Sequence, residues 1–208
     1  MYRGLQGRLP DGVMVSIDTF YADVARAAVE AGAHMVNDVT GGTSDLETTM
    51  HATVASLGVP YALMHMRGTP VTMNACATYD DVCAEVAHEL RASADRAWQA
   101  GVCPWSVVLD PGLGFAKTAA QTIEVVRGLW RLRSEVGGPW ARQPMLVGPS
   151  RKRFLGELTG RAAADRDMAT AAVCALCVQQ GANVLRAHNA AAVVDAARVA
   201  DALVAWTD

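Results

Sequence analysis

Apolar and polar positions follow one repeating order along this chain. A short apolar run ends in a polar cluster, then gives way to a stretch of helical spacing that stops at glycine or a small-residue loop. The runs are VMVSIDT from Val13, HMVNDV from His34, YALMHMRG from Tyr61, VVLDPGLGF from Val107, MLVGPSRK from Met145 and NVLRAHN from Asn183. Their length and apolar content suit strands covered on both faces. Between them the spacing predicts helices over 21–31, 79–100, 121–134, 167–180 and 190–206. Thr19 stands ahead of the first as an N-cap and Gly32 follows it; Val82, Val86 and Leu90 mark the second, which Gly101 ends.

Strand followed by helix, six times over, implies a parallel sheet with right-handed crossovers. No linker, fixed-period repeat or low-complexity stretch divides the sequence, so residues 1–208 read as one domain. Two α/β architectures remain open. A doubly wound sheet gathers its ligand chemistry at a switch point, whereas a (β/α)8 barrel carries polar groups at the C-terminal end of nearly every strand. All six runs here end in such groups: Asp18; Asn37 with Asp38; His65 with Arg67; Asp110; Ser150 with Lys152; Arg186 with His188. That distribution favours the barrel. Since a closed barrel needs eight units, two are unaccounted for.

Composition narrows the partners. The chain is 51% hydrophobic and 19% charged, with a formal net charge of −3, an ordinary balance for a soluble protein. It gives no reason to expect nucleic acid or a membrane surface. No uninterrupted apolar stretch reaches the length of a membrane span, and the N-terminal MYRGLQGRLPDG reads as neither signal nor transit peptide, which leaves cytoplasm and mitochondrion undecided. The five cysteines form no metal-ligand grouping, and Cys174 and Cys177 lie inside an apolar helical run. They read as small hydrophobes in a reduced compartment.

The strand ends carry the candidate chemistry. Asp18 reads equally as a helix cap and as a site carboxylate, and Asn37–Asp38 before Thr-Gly-Gly equally as turn chemistry and as a site. DPGLGF is more specific: Pro111 and its glycines shape a tight loop that aims Asp110 into the mouth. Lys152 follows its strand within a Gly-Pro-Ser turn. Arg186 and His188 alternate, so they share a face and suit a phosphate or carboxylate. His65 reads first as a satisfied core histidine. There is no HExxH or comparable metal cluster and no nucleophile elbow. Two carboxylates and an amide suit the N–H edge of a planar heterocycle, a lysine suits its carbonyl or ring nitrogen, and the Arg–His pair suits a phosphate-bearing tail.

At these residues the chain resembles dihydropteroate synthase, the folate-pathway family that sulfonamides target. The resemblance is carried by SIDT, MVNDVTGG, LMHMRG, DPGLGFAK, LVGPSRKRFLG, DRDMAT and the terminal Arg-x-His, from about Val15 to Asp201. The wording of MHMRGTPVTM and GPSRKRFLG is similar to the plant-like form, commonly fused behind a pterin pyrophosphokinase. The resemblance implies condensation of a hydroxymethyl-dihydropterin pyrophosphate with p-aminobenzoate, Mg²⁺ as cofactor, and often a homodimer. It implies that Asp110 and Asn37 bond the pyrimidine edge, that Asp18 stabilises positive charge on the pterin, and that Lys152 contacts ring acceptors. Met64, Val39 and Phe115 would pack on the pterin faces, and Arg186 and His188 would hold pyrophosphate. Catalytic work thus falls to Asp18 and Lys152.

The family's T-P-D-S-F-like stretch, whose Asn helps to hold the metal, and its Ser-Arg-Pro loop are not found in this sequence. The chain therefore reads as a (β/α)8 barrel without its first two units, incomplete at the N-terminus, with no metal ligand of its own. A pterin- or folate-dependent methyltransferase is the alternative enzyme, though SRKRF and Arg-x-His exceed what a methyl-folate needs. A pterin-binding remnant without catalysis is the non-enzymatic alternative.

Overall fold

The computed structural model describes residues 9–43 and 49–205; the first eight residues and Trp206, the last residue of the expected final helix, lie outside that range. Among the described residues six strands occur, in chain order β1 Ser16–Asp18, β2 Met35–Asp38, β3 Tyr61–Met64, β4 Val107–Asp110, β5 Leu146–Val147 and β6 Val184–Leu185. β1 to β4 pair in sequence order and in parallel, β5 pairs in parallel with β6, and a parallel bridge between Leu109 and Met145 links the two groups. The protein is a parallel α/β fold, as the strand–helix alternation predicts.

Parallel register makes paired residues share a face. Val36 lies level with Tyr61 and Val107, and two residues on, Leu63 lies level with Leu109. Each of these side chains is buried in the main hydrophobic core, with Met145, Val147 and part of Leu185. That face is closed by helices: α1 Ala22–Glu30, α2 Thr49–Leu57, α3 Val82–Gln99, α4 Ala119–Arg127, α5 Leu129–Val136, α6 Arg153–Thr159, α7 Asp167–Gln179 and α8 Ala190–Val204. α3 supplies Val82, Cys83, Val86, Ala87, Leu90, Ala94 and Ala97, one stripe of small and branched residues at helical spacing. Burying a branched side chain contributes about 1.5–3 kcal/mol, so this helix is the main anchor of the helical layer.

The departures from expectation have physical causes. The stretch 121–134 is two helices, α4 and α5, with Gly128 between them; a Cβ there would come within 2.8 Å of Cys83 Sγ on α3, so the close approach of α3 requires glycine at the break. α2 was not expected, because TMHATVASL is apolar or small nearly all round and lacks the polar stripe that betrays a helix. α6 was not expected either; it starts inside the basic run and ends at Gly160, which takes the left-handed conformation at φ +68°. Thr19 does not cap α1 directly. Its Oγ1 accepts from Tyr21 N at 3.1 Å, and the cap position is Tyr21, whose side chain makes no cap bond.

Candidate functional site

The face opposite the core carries different residues. Asp18 lies level with Asn37, and Asn37 with Ala62; two residues further, Met64 lies level with Asp110. Asp18, Asn37, Met64 and Asp110 therefore share one face at the C-terminal ends of four adjacent strands. Continuing past β6, the Arg186 amide donates to Val147 O at 2.9 Å, and Arg186 Cβ lies beside Gly148. Alternation then places Arg186 on that same face. Asn37 and Asp110 are buried while Asp18 is exposed.

The loops that leave these strands are tied to one another. Asp38, next to Asn37 but on the core side, is fully buried and accepts from Thr40 N at 2.8 Å, Thr40 Oγ1 at 2.7 Å, Gly42 N at 2.8 Å and the Tyr61 hydroxyl at 2.8 Å. This resolves the Asn37–Asp38 pair: Asp38 shapes the turn, while Asn37 shares the face of Asp18; Val39 beyond it is half-buried. Asp110 Oδ1 accepts from Gly112 N at 2.8 Å. Gly112 has φ +65°, and a Cβ there would lie 2.0 Å from His65 O. The DPG turn thus rests directly on the end of β3, where only glycine fits. Burial raises the Asp110 carboxyl above its ordinary value, opposed by the Lys152 ammonium and the Gly112 N–H.

Cations meet on the far side of the mouth. Lys152 Nζ donates to Leu113 O and stands 4.5 Å from the centre of the Phe115 ring. Its burial lowers it to about 8, with the Asp110 carboxylate acting in the other direction. Gly148, Ser150, Lys152, Arg186, Ala187 and His188 line a cavity of about 170 Å³. His188 is held there by its Nδ1, 2.8 Å from Ser150 Oγ, and by its amide, which donates to the same oxygen at 3.1 Å. Arg186 reaches across to Asp18, Nη2 to Oδ2 at 2.7 Å. The DRDMAT segment sets these loops from below. Asp167 accepts from Arg151 Nε at 2.8 Å and from Asn189 Nδ2 at 3.1 Å, and Thr170 Oγ1 accepts the Arg151 amide at 3.1 Å.

Sequence reading missed a cluster behind the DPGLGF loop. The ammonium of Lys117, buried, donates to Gly112 O at 3.2 Å and Phe115 O at 3.1 Å and lies 2.9 Å from His65 Nδ1. His65 Nε2 lies 2.9 Å from Glu89 Oε2, and Arg67 Nε donates to Glu89 Oε1 at 2.9 Å. Burial, then the Lys117 charge, brings His65 down to about 4. Burial alone would raise Glu89, but hydrogen bonds from His65 and Arg67 outweigh it and bring it to about 2. Lys117 stands in DPGLGFAK, seven residues past Asp110; the signal was a lysine directly before the Thr118 helix cap, which by itself reads as a surface residue.

A second cavity of about 640 Å³ adjoins the mouth and shares Phe115 and Lys152 with it; Met73, Asn74, Thr118 and Arg153 are among its other walls. Among the described residues no group of three or more His, Cys, Asp or Glu side chains converges as a metal-ligand set, and no described helix is long and apolar enough to cross a membrane.

Comparison with known proteins adds names to this geometry. The family described as pterin binding enzyme matches residues 3–188. The chain is 44% identical over 196 residues to the mitochondrial folate synthesis bifunctional protein of Arabidopsis thaliana, covering 91% of this chain and 35% of that protein. It superposes with a TM-score of 0.89 on the dihydropteroate synthase of Stenotrophomonas maltophilia with imidazole in its active site, at 39% identity over 100% of this chain and 74% of the other. The Xanthomonas albilineans dihydropteroate synthase in complex with 7,8-dihydropteroate gives a TM-score of 0.86 at 38% identity, over 99% and 74%. The chain thus spans about a third of the plant relative and three quarters of the two solved structures.

Proposed function

Because the chain belongs to the pterin-binding enzyme family, we propose that it serves dihydropteroate synthesis, joining a hydroxymethyl-dihydropterin pyrophosphate to p-aminobenzoate with release of pyrophosphate. The observation that supports this most is the shared face: Asp18, Asn37, Met64 and Asp110 on adjacent strand ends, with Lys152, Arg186 and His188 lining the cavity beside them. Asp110 and Asn37 accept and donate along the pyrimidine edge, and Lys152 meets ring acceptors. Met64, Val39 and Phe115 flank the ring. Arg186 and His188 take the diphosphate, whose departure they stabilise, and Asp18 stabilises the positive charge left on the pterin methylene. No protein nucleophile is needed.

Arg186 Nη2 donates to Asp18 Oδ2 at 2.7 Å. A guanidinium has five donors, so one edge can hold Asp18 while another faces phosphate oxygens. The 640 Å³ cavity, with an aromatic ring and the exposed Arg153 beside Lys152, suits an aromatic carboxylate approaching the methylene. Mg²⁺ is the cofactor implied by the family, but the described residues form no ligand cluster for it, and no step here passes through a metal.

The six strands are read as six of the eight units of a (β/α)8 barrel within one domain covering 1–208. Coverage of 74% of the solved relatives is in proportion to six units of eight. As with the plant relative, named bifunctional, an upstream pterin pyrophosphokinase is an expected fusion partner, and a homodimer an expected assembly.

The test is a binding series by calorimetry. Arg186→Ala should weaken the pterin pyrophosphate and free pyrophosphate while sparing the pterin alcohol, and Arg186→Lys should recover part of the loss, since a point charge lacks the planar fork. Equal losses on all three ligands would sink the assignment of Arg186 to the leaving group.

A further inference from the structure

The proposed roles leave one buried cation unused. The Lys117 ammonium has three hydrogens and three neighbours that can accept: Gly112 O at 3.2 Å, Phe115 O at 3.1 Å and His65 Nδ1 at 2.9 Å. Below about pH 7 Lys117 is charged and offers no acceptor, so there His65 Nδ1 is the accepting nitrogen. The imidazole proton then sits on Nε2, directed at Glu89 Oε2 at 2.9 Å. Glu89 is fixed in turn by Arg67, whose guanidinium lies 3.9 Å above the Tyr79 ring. Tyr79 closes the circuit by donating its hydroxyl to Ala116 O at 2.9 Å.

What this circuit encloses is the loop that follows Asp110. Ala116 has φ +47°, a conformation costly for a residue with a Cβ. It persists only where the surroundings over-determine it, and here the carbonyls of Gly112 and Phe115 are held by Lys117 and that of Ala116 by Tyr79. Through the same loop Gly112 N reaches Asp110 Oδ1, and Phe115 reaches Lys152.

We propose that Lys117 is a positioning residue: its charged amine, seated on His65 and on the Gly112 and Phe115 carbonyls, fixes the loop that orients Asp110 and Phe115 and places a positive charge behind the Asp110 carboxylate. This rests on the pterin reading of Asp110 for its functional consequence, though not for its structural part. The charged groups around Asp110 are Lys117, Lys152 and Arg186, with the Gly112 N–H on its Oδ1. A cation removed from that set should raise the carboxyl's titration midpoint, which a purely steric support would leave in place.

The experiment compares the 208-residue chain with its Lys117→Met variant in three measurements. The first is the Asp110 midpoint, followed by the carboxyl ¹³C shift; it should rise by about one unit or more. The second is hydrogen exchange without ligand, which should quicken at residues 112–116 while the buried amides of α3 stay protected. The third is calorimetry with a pterin, whose affinity should fall about tenfold or more. An unchanged Asp110 midpoint, or faster exchange spread evenly through α3 and β4, would overturn the inference. Failure of the unmutated chain to bind any pterin would instead remove the proposed function, and the first two measurements would still decide for or against Lys117. Should Lys117→Met not fold, Lys117→Gln, which also removes the charge but keeps an N–H donor for the loop carbonyls, replaces it under the same criteria.

Discussion

Asp110 shows how much one side chain can decide. It is buried with a single protein donor described on Oδ1, so its remaining acceptor capacity faces the mouth. A hydrogen bond to a charged group contributes about 1.5–3 kcal/mol, so Asp110→Ala should weaken pterin binding about tenfold to more than a hundredfold. Asp110→Asn should also weaken it, since an amide presents N–H₂ where an acceptor is needed. Calorimetry on variants with native circular dichroism checks both, and wild-type affinity in either would take Asp110 out of the site. Gly112 is equally exacting. At φ +65°, with His65 O in the way of any Cβ, Gly112→Ala should cost more than about 1 kcal/mol in urea unfolding and abolish pterin binding. Retained affinity would show that the DPG turn can move without consequence. The lysines add a pH signature: burial holds Lys117 at about 7 and Lys152 at about 8. Both are charged below these values, so pterin affinity should decline as pH rises from 7 to 9. A flat profile would show that neither charge assists binding.

Among the elements, α3 connects the core to the site. Its inner stripe anchors the helical layer, while Glu85 and Glu89 on its outer side hold Arg67 and His65. Its start depends on Asp81, whose Oδ1 accepts from Cys83 N and Ala84 N at 3.1 Å each. Loss of such a cap costs about 1 kcal/mol. Asp81→Ala should therefore lower the unfolding free energy by that amount, read as a lower urea midpoint at constant m-value, leaving pterin affinity unaltered. An accompanying loss of affinity would mean that the first turn of α3 reaches the site through Glu85. The helices also show where periodicity misleads. α4 and α5 carry one continuous helical pattern, yet they divide at Gly128, where Cys83 of α3 leaves no room for a Cβ. α2 carries almost no pattern because both its sides are small or apolar.

Across the whole molecule, the ionisable cluster behind the mouth should govern stability on the acid side. His65 titrates near 6.5 when unfolded and about 4 when folded. The unfolded chain alone takes up the proton between those values, so stability falls as pH drops from 6.5 to 4. Glu89, ordinarily 4.5 and held at about 2, carries the loss further as pH falls through that second window. Lys117 acts with the same sign on the alkaline side: folded at about 7 against 10.5, it makes stability grow with pH across that interval. These groups push urea midpoints upward from pH 4 to 9, opposed at the acid end by the raised Asp110 carboxyl, and His65→Gln should flatten the segment from 4 to 6.5. A wild-type midpoint that does not change between pH 4 and 6.5 would contradict the buried, neutral imidazole.

The sequence by itself determined the class of the fold, the order of six strands, the start and end of α3 and α7 to within a few residues, and the polar strand-end residues on which the family resemblance rests. These follow from local rules, since the period of apolar residues and the punctuation by glycine and proline are set within a dozen positions. Tertiary structure alone decided which neighbour of a pair turns under the helices and which toward the opposite face. Asp38 and Asn37 are adjacent and equally polar, yet the register with Tyr61 buries one under the helices and aims the other into the mouth. It also decided that Lys117 is interior. Its partners are at Gly112, Phe115 and His65, and the last is 52 residues away. A charge is tolerated in the interior only where such distant acceptors converge, and that convergence is a property of the assembled strands, which no local pattern encodes.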